Sequence, residues 1–257
     1  MNGELYHACC LVAAAKNALL ESKEIDNTAS LHEKYIEFHL LPEAQNLDVR
    51  LIVSDRSNWY QACLSRGLND IKLMTPPIIE DRNLLGFSGA TQIAFVCFYR
   101  DGTITCFTPH WSFVDELKGW RIVYTEDLWD NAPTEKPRFC NPKENFIQVL
   151  KEIGDFADTI GFSGFADRFN LALQILLTTN SELDLPYLDI PSPDLPPENL
   201  RLFLAAQKSY VFGAMGSWND SPPWIAHEMG LDAQYEDLSA RLFTQVILSI
   251  LYAINEW

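Results

Sequence analysis

Basic residues are scarce in this chain. Lys and Arg number 19 against 35 Asp and Glu, a formal charge of −16 at pH 7, and no basic run interrupts that bias. Nucleic-acid binding draws much of its affinity from cations that neutralise phosphates, so no nucleic-acid partner is expected. Anionic membrane surfaces are disfavoured on the same ground. Cysteines at metal or redox spacing are also lacking. Six are present (Cys9, Cys10, Cys63, Cys97, Cys106 and Cys140), but none forms a CxxC pair, which argues against a zinc ribbon or a thioredoxin-type site. There is no Walker A sequence, no G-x-G-x-x-G and no H-x-x-x-H, so neither a cofactor nor a metal is expected. Uninterrupted apolar runs are short. Ala8 to Ala15 (ACCLVAAA) follows Glu4 rather than Lys or Arg, which is wrong for a signal peptide, and it is too short to span a bilayer. Residues 242–255 are broken by Thr244, Gln245 and Ser249 and read as a buried core helix. The cysteines read as reduced thiols, and the location expected is cytoplasmic.

What is present is an ordinary globular composition, with 47% apolar, 12% aromatic and 21% charged residues. The acid is uneven: residues 129–257 carry 18 acidic and 8 basic side chains, residues 1–128 carry 17 and 11. Such a field steers a basic protein partner toward the chain.

The first half reads as a helix followed by a mainly antiparallel meander. Leu5 to Leu20 is rich in Ala and Leu and reads as helix. Lys34 to Leu40 alternates Tyr35, Glu37 and His39 against Ile36, Phe38 and Leu40, the pattern of a half-buried strand. Asp48 to Val53 reads as a second strand, and Ser57 to Leu68 as a short helix capped by Ser57. Thr91 to Tyr99 is a long apolar strand. Asp101-Gly102 gives a hairpin signal before Thr103 to Thr108 returns. A two-residue turn there places Arg100 opposite Thr103 and Cys97 opposite Cys106. His110 to Val114 and Trp120 to Thr125 form a further pair.

The second half is helical in pattern. Asn141 caps a helix with Pro142 at its first position, running to about Thr159. Phe165 to Leu177 and Glu198 to Met215 are further helices, separated by a proline-rich acidic connector at 181–197. Ser221 opens a short helix closed by Gly230, and Asp232 starts the last one, which reaches Trp257. That helix spaces Leu238, Leu242, Val246, Ile250 and Ile254 four apart beside a row of Phe243, Ile247 and Leu251, so it belongs at the centre of the C-terminal half. The fold class expected is α+β: an N-terminal helix with a mainly antiparallel sheet over 1–130, then a helical bundle over 141–257, the two packed as one unit.

Val211 to Asp220 (VFGAMGSWND) is the most unusual stretch. Gly213 and Gly216 interrupt a helical pattern, and Ser217, Trp218, Asn219 and Asp220 crowd hydrogen-bonding and aromatic groups into one turn. A functional reading makes this a small polar pocket, with Asp220 and His227 as an acid–base pair, Ser217 beside them, and Trp218 and Asn219 contacting the ligand. A structural reading makes it a helix–turn–helix junction in which Gly216 reverses the chain, Asn219 or Asp220 bonds the backbone, and Trp218 plugs the core. The structural reading is adopted.

Other constellations are weaker. His7 and Cys10 share a helix face as thiol and base, but Glu4 nearby opposes a lowered thiol pKa, and buried structural cysteine is the reading taken. Gly86-Phe87-Ser88-Gly89 lacks the spacing of a hydrolase elbow. Glu37 and His39 share one strand face. Trp111 and Trp120, with Trp129, cluster near a sheet edge, where exposed aromatics serve as binding hot spots.

The segment VFGAMGSWND, with a final helix ending in LYAINEW, resembles the C-terminus of uncharacterised bacterial proteins that carry G-x-M-G-S-W-N-D, some encoded beside toxin or mobile-element loci. The resemblance covers residues 198–257. It implies a bacterial accessory or immunity-type binding protein and brings no catalytic residue with it.

Three functions are therefore expected in turn. The first is a non-catalytic acidic protein that docks a basic protein partner. The second is a hydrolase or transferase built on Ser217, Asp220 and His227. The third is a homo-oligomer joined through the tryptophan-rich sheet edge.

Overall fold

Leu5 to Leu20 is rich in Ala and Leu, the residues that lose least on entering a helix, and in the computed structural model it forms the body of α1, Gly3–Glu21. The structure describes residues 1–28, 33–42, 50–78, 92–116, 118–129, 132–133, 135–178 and 192–257. The helix stops at Ser22, which takes a left-handed φ of 53° so that the Lys23 N–H donates to the Ala18 carbonyl at 3.0 Å.

Six strands follow with one helix among them: β1 (Glu33–Leu40), β2 (Leu51–Val53), α2 (Arg56–Ser65), β3 (Leu68–Met74), β4 (Ala94–Tyr99), β5 (Ile104–Val114) and β6 (Gly119–Leu128). They make one mixed sheet in the order β2-β1-β6-β5-β4-β3. Among the described residues only β1 and β6 pair in parallel. Ile36, Phe38 and Leu40 of β1 are all buried, as the period-2 pattern requires, and Glu37 between them is buried too. Ile36 and Phe38 lie opposite Ile122 and Tyr124 of β6. Trp59 of α2 stacks on Phe38 at 4.8 Å and meets Phe95 and Phe107 edge-on, so the core of this half is an aromatic cluster on one sheet face.

Several sequence expectations are corrected here. The hairpin turn has three residues rather than two. Phe98 pairs with Ile104, Tyr99 N–H donates to Thr103, and Gly102 sits at φ 88°, the left-handed residue of a bulged turn. Cys97 therefore faces Thr105, while Cys106 faces Val96 on the other side of the sheet. His110 to Val114 is not a separate strand but the continuation of β5. Asp55, not Ser57, caps α2, its carboxylate accepting the Asn58 N–H at 2.7 Å. Strand β3 lies within and beyond the end of the helix expected to reach Leu68. Trp111 and Trp120 stand on β5 and β6, which are interior strands; the edges of the sheet are β2 and β3. Asp48 and Thr91, expected strand starts, the Gly86–Gly89 stretch, and residues 181–191 of the connector lie outside the described residues.

The C-terminal half contributes α3 (Lys143–Thr159), α4 (Ser163–Leu177), α5 (Pro197–Ser209), α6 (Ser221–Glu228) and α7 (Asp232–Asn255). Helix α3 starts one residue later than expected, and Asn141 still accepts the Lys143 N–H at 3.0 Å. Helix α5 ends at Ser209, not Met215, and its side chain bonds back to Ala205. Tyr210, Val211 and Phe212 then leave the helix before Gly213. Helix α7 packs against α3, α5 and α6, and α4 lies between α3 and α5. All eight residues of its two apolar rows are buried. Its length and composition would suffice to cross a membrane, but 61% of the relevant window is buried inside the protein, as a core helix requires. The class is α+β. The chain divides into two units, one formed by Glu4–Met74 and Gln92–Pro137, the other by Arg138–Trp257 with Met1–Gly3 and Thr75–Thr91.

Candidate functional site

The segment between α5 and α6 is a corner closed by its own polar groups. Ser217 N–H donates to the Ala214 carbonyl at 3.1 Å, and its hydroxyl donates to Gly213 at 2.9 Å. The Ser217 oxygen also accepts the Asn219 N–H. Gly216 adopts φ 80°, and its N–H donates to the Asp220 carboxylate at 2.8 Å. Trp218 is completely buried. Its indole N–H donates to Ser239 of α7 at 2.8 Å, and its carbonyl accepts the Tyr235 hydroxyl at 2.8 Å. Its ring stacks on Tyr235 and is edged by Phe165 and Phe169.

The Asp220 N–H donates to the Ser217 carbonyl at 3.2 Å, but each sequence-predicted catalytic side chain bonds another group. Asp220 bonds the Gly216 amide. His227 points to solvent and bonds Asp232 at 2.8 Å, and that bond holds the Asp232 carboxyl below its usual range. Ser217 is tied to Gly213 rather than to a base. Asp220 and His227, expected as an acid–base pair, each make a local structural bond instead of one to each other. Trp218 as a ligand contact is corrected likewise, because it has no exposed surface. Asn219 lies in the same turn, half-buried.

The corner nevertheless forms one wall of a cleft of about 580 Å³. Ala214, Met215, Gly216 and Ser217 line one side, and Phe162, Phe165 and Arg168 of α4 and its start line another. Neither Asp220 nor His227 reaches it.

Beyond the corner, α6 and the start of α7 present an acidic surface with exposed apolar side chains. Trp224 is 64% exposed and Met229 48%. Between residues 220 and 241 the chain carries Asp220, Glu228, Asp232, Glu236 and Asp237 against Arg241, and these five carboxylate residues are all exposed.

In the sheet-containing unit the structure assembles a buried polar network that the sequence did not reveal. His7 of α1 meets Tyr124 of β6 through Nδ1 at 2.8 Å and Glu33 of β1 through Nε2 at 2.9 Å. Arg56 of α2 bonds the same Glu33 oxygen and the Thr28 carbonyl. A carboxylate only accepts, so Nε2 carries the proton and Nδ1 accepts the Tyr124 hydroxyl. Burial lowers the His7 pKa against the opposing pull of Glu33. Cys10 is no partner of this histidine, and burial raises its thiol pKa. With the arginine and carboxylate compensating each other, the network reads as a structural clasp.

Trp111 lies edge-on to His7 at 5.6 Å, and Trp120 is edged by Phe113, so both are half-buried parts of a continuous aromatic face. Glu37 accepts from Arg121 at 2.7 Å and from the Tyr35 hydroxyl at 2.8 Å, which engages the carboxylate that shares a face with His39. Among the described residues no group of three or more His, Cys, Asp or Glu is placed to hold a metal ion. No signal in the sequence linked His7 to Glu33, Arg56 and Tyr124; Trp224 was visible as a lone tryptophan beside two prolines, but its exposure was not. No family model, no curated protein and no solved structure matches this chain.

Proposed function

We propose that this protein is a non-catalytic binding protein of the accessory or immunity type, whose acidic surface docks a basic protein partner. One observation carries the reading: exposed Trp224 and Met229 stand among Asp220, Glu228, Asp232, Glu236 and Asp237 on α6 and the start of α7. Large apolar side chains anchor interfaces, and a surrounding field of one sign selects a partner of the other. The G-x-M-G-S-W-N-D resemblance points the same way. The local bonds of Ser217, Asp220 and His227 supply no catalytic alternative.

Selection of a displayed random-peptide library on the full chain tests the proposal. Basic peptides with an apolar anchor should be enriched, and Trp224→Ala or a Glu228→Lys/Asp237→Lys double variant should abolish their binding. Enrichment of neutral or acidic peptides, or binding indifferent to both variants, would overturn it.

A further inference from the structure

We propose that the cleft between α4 and the Gly213–Ser217 corner is a binding site for a small organic acid, an apolar or aromatic group carrying a carboxylate. This goes beyond the docking surface on α6 and α7 and stands or falls independently of it. The volume, about 580 Å³, is that of a small-molecule site. Phe162, Phe165, Tyr210, Phe212 and Met215 contribute apolar surface to its walls, beside polar surface of comparable extent. Met215 is 93% exposed, an apolar side chain left open to solvent at the cleft.

The charge in this cleft is the informative feature. The chain has a large surplus of carboxylates, yet among the described residues the charged side chain that lines the cleft is a cation, Arg168. In the same unit Arg241 is held by Glu152 and Asp237, and Arg201 by Glu198. Among the described residues no carboxylate or carbonyl pairs with Arg168. A guanidinium presents a planar set of N–H donors matched to a carboxylate, and aromatic walls beside it take the apolar remainder of such a ligand. The start of α4 adds to this. Gly164 lines the cleft, and the N–H groups of Ser163 and Gly164 find no acceptor among the described residues, so the positive end of the helix dipole faces the same space. Free carboxylic acids and the C-terminal carboxylate of a peptide share this chemistry.

Labelling the methionine methyl groups with ¹³C gives a direct readout, because Met215 is the methionine that lines the cleft. The full chain is titrated with 3-phenylpropionate, its neutral amide and phenethylamine. The Met215 resonance should move with the acid, about tenfold more weakly with the amide, and not with the amine. Arg168→Gln should weaken the acid about tenfold and leave the amide unchanged, and Arg168→Lys should recover part of the loss. The amide response reports that the cleft of each variant is intact. The peptide Gly-Gly-Phe with a free C-terminus separates the two sources: binding tighter than 3-phenylpropionate assigns the site to a chain end, weaker binding to a free acid. No shift of Met215 with any probe, equal affinity for all three, or an Arg168→Gln variant that keeps the preference for the acid would overturn the proposal.

Discussion

Trp218 shows how a residue that looks like a ligand contact becomes a structural one. A tryptophan beside Ser, Asn and Asp suggests a polar site, but its indole N–H has a buried acceptor in Ser239 and its ring is enclosed by Phe165, Phe169 and Tyr235. Removing the acceptor leaves a buried donor unsatisfied, so Ser239→Ala should cost about 1–3 kcal/mol in urea unfolding. His7 gives a second residue-scale prediction. Its folded pKa lies below the ordinary value of 6.5, so the unfolded chain takes up a proton more readily. The stability contributed by neutral His7 is present above pH 6.5 and is lost as the pH falls toward the folded value. Unfolding measured from pH 7.5 to 5 should show a loss of up to about 1.4 kcal/mol per pH unit relative to His7→Asn. A parallel pH dependence in the two proteins would contradict this. The role of Trp218 as a core plug was legible from its neighbours. The partners of His7 were not, because Glu33 and Tyr124 lie 26 and 117 residues away, and Arg56, which shares the Glu33 carboxylate, lies 23 residues from Glu33; only the tertiary fold unites them.

Elements were legible where periodicity was strong. The four-residue spacing in α7 and the alternation in β1 both describe real buried faces. Strand β3 was hidden because Asn69, Asp70 and Lys72 break the alternation and a register shift follows Leu68. The hairpin register was missed by one residue because Asp-Gly fits both a two-residue turn and the bulged turn found here, and that single step moved Cys97 and Cys106 to opposite faces. The α5–α6 corner depends on Gly216 in the same way, through backbone conformation rather than space: a methyl group there would meet nothing within 4 Å, but φ is 80°. Gly216→Ala should therefore cost about 1–2 kcal/mol of stability, read by thermal or urea unfolding, with no change in the helix content of the folded protein. A neutral substitution would show that the corner does not need a left-handed residue.

At the scale of the molecule, composition spoke clearly about charge sign and pattern about fold class, and neither said much about where function lies. The α+β order of elements followed from the change of pattern near residue 140, whereas the cleft needed side chains from α4 and from the segment after α5 to come together. The surplus of acid is a property of the whole chain, but its use depends on whether an apolar anchor stands within it, as Trp224 does on α6. Steering by such a field is screened by salt over about 10 Å at 0.1 M, which makes ionic strength the natural variable. The direct measurement is calorimetric titration of a library-selected basic peptide into the full chain from 50 to 300 mM salt, beside Trp224→Ala. An acidic docking surface predicts affinity that falls at least about tenfold across that range and is lost in the variant. Affinity that is indifferent to salt, or that survives the loss of Trp224, would contradict it.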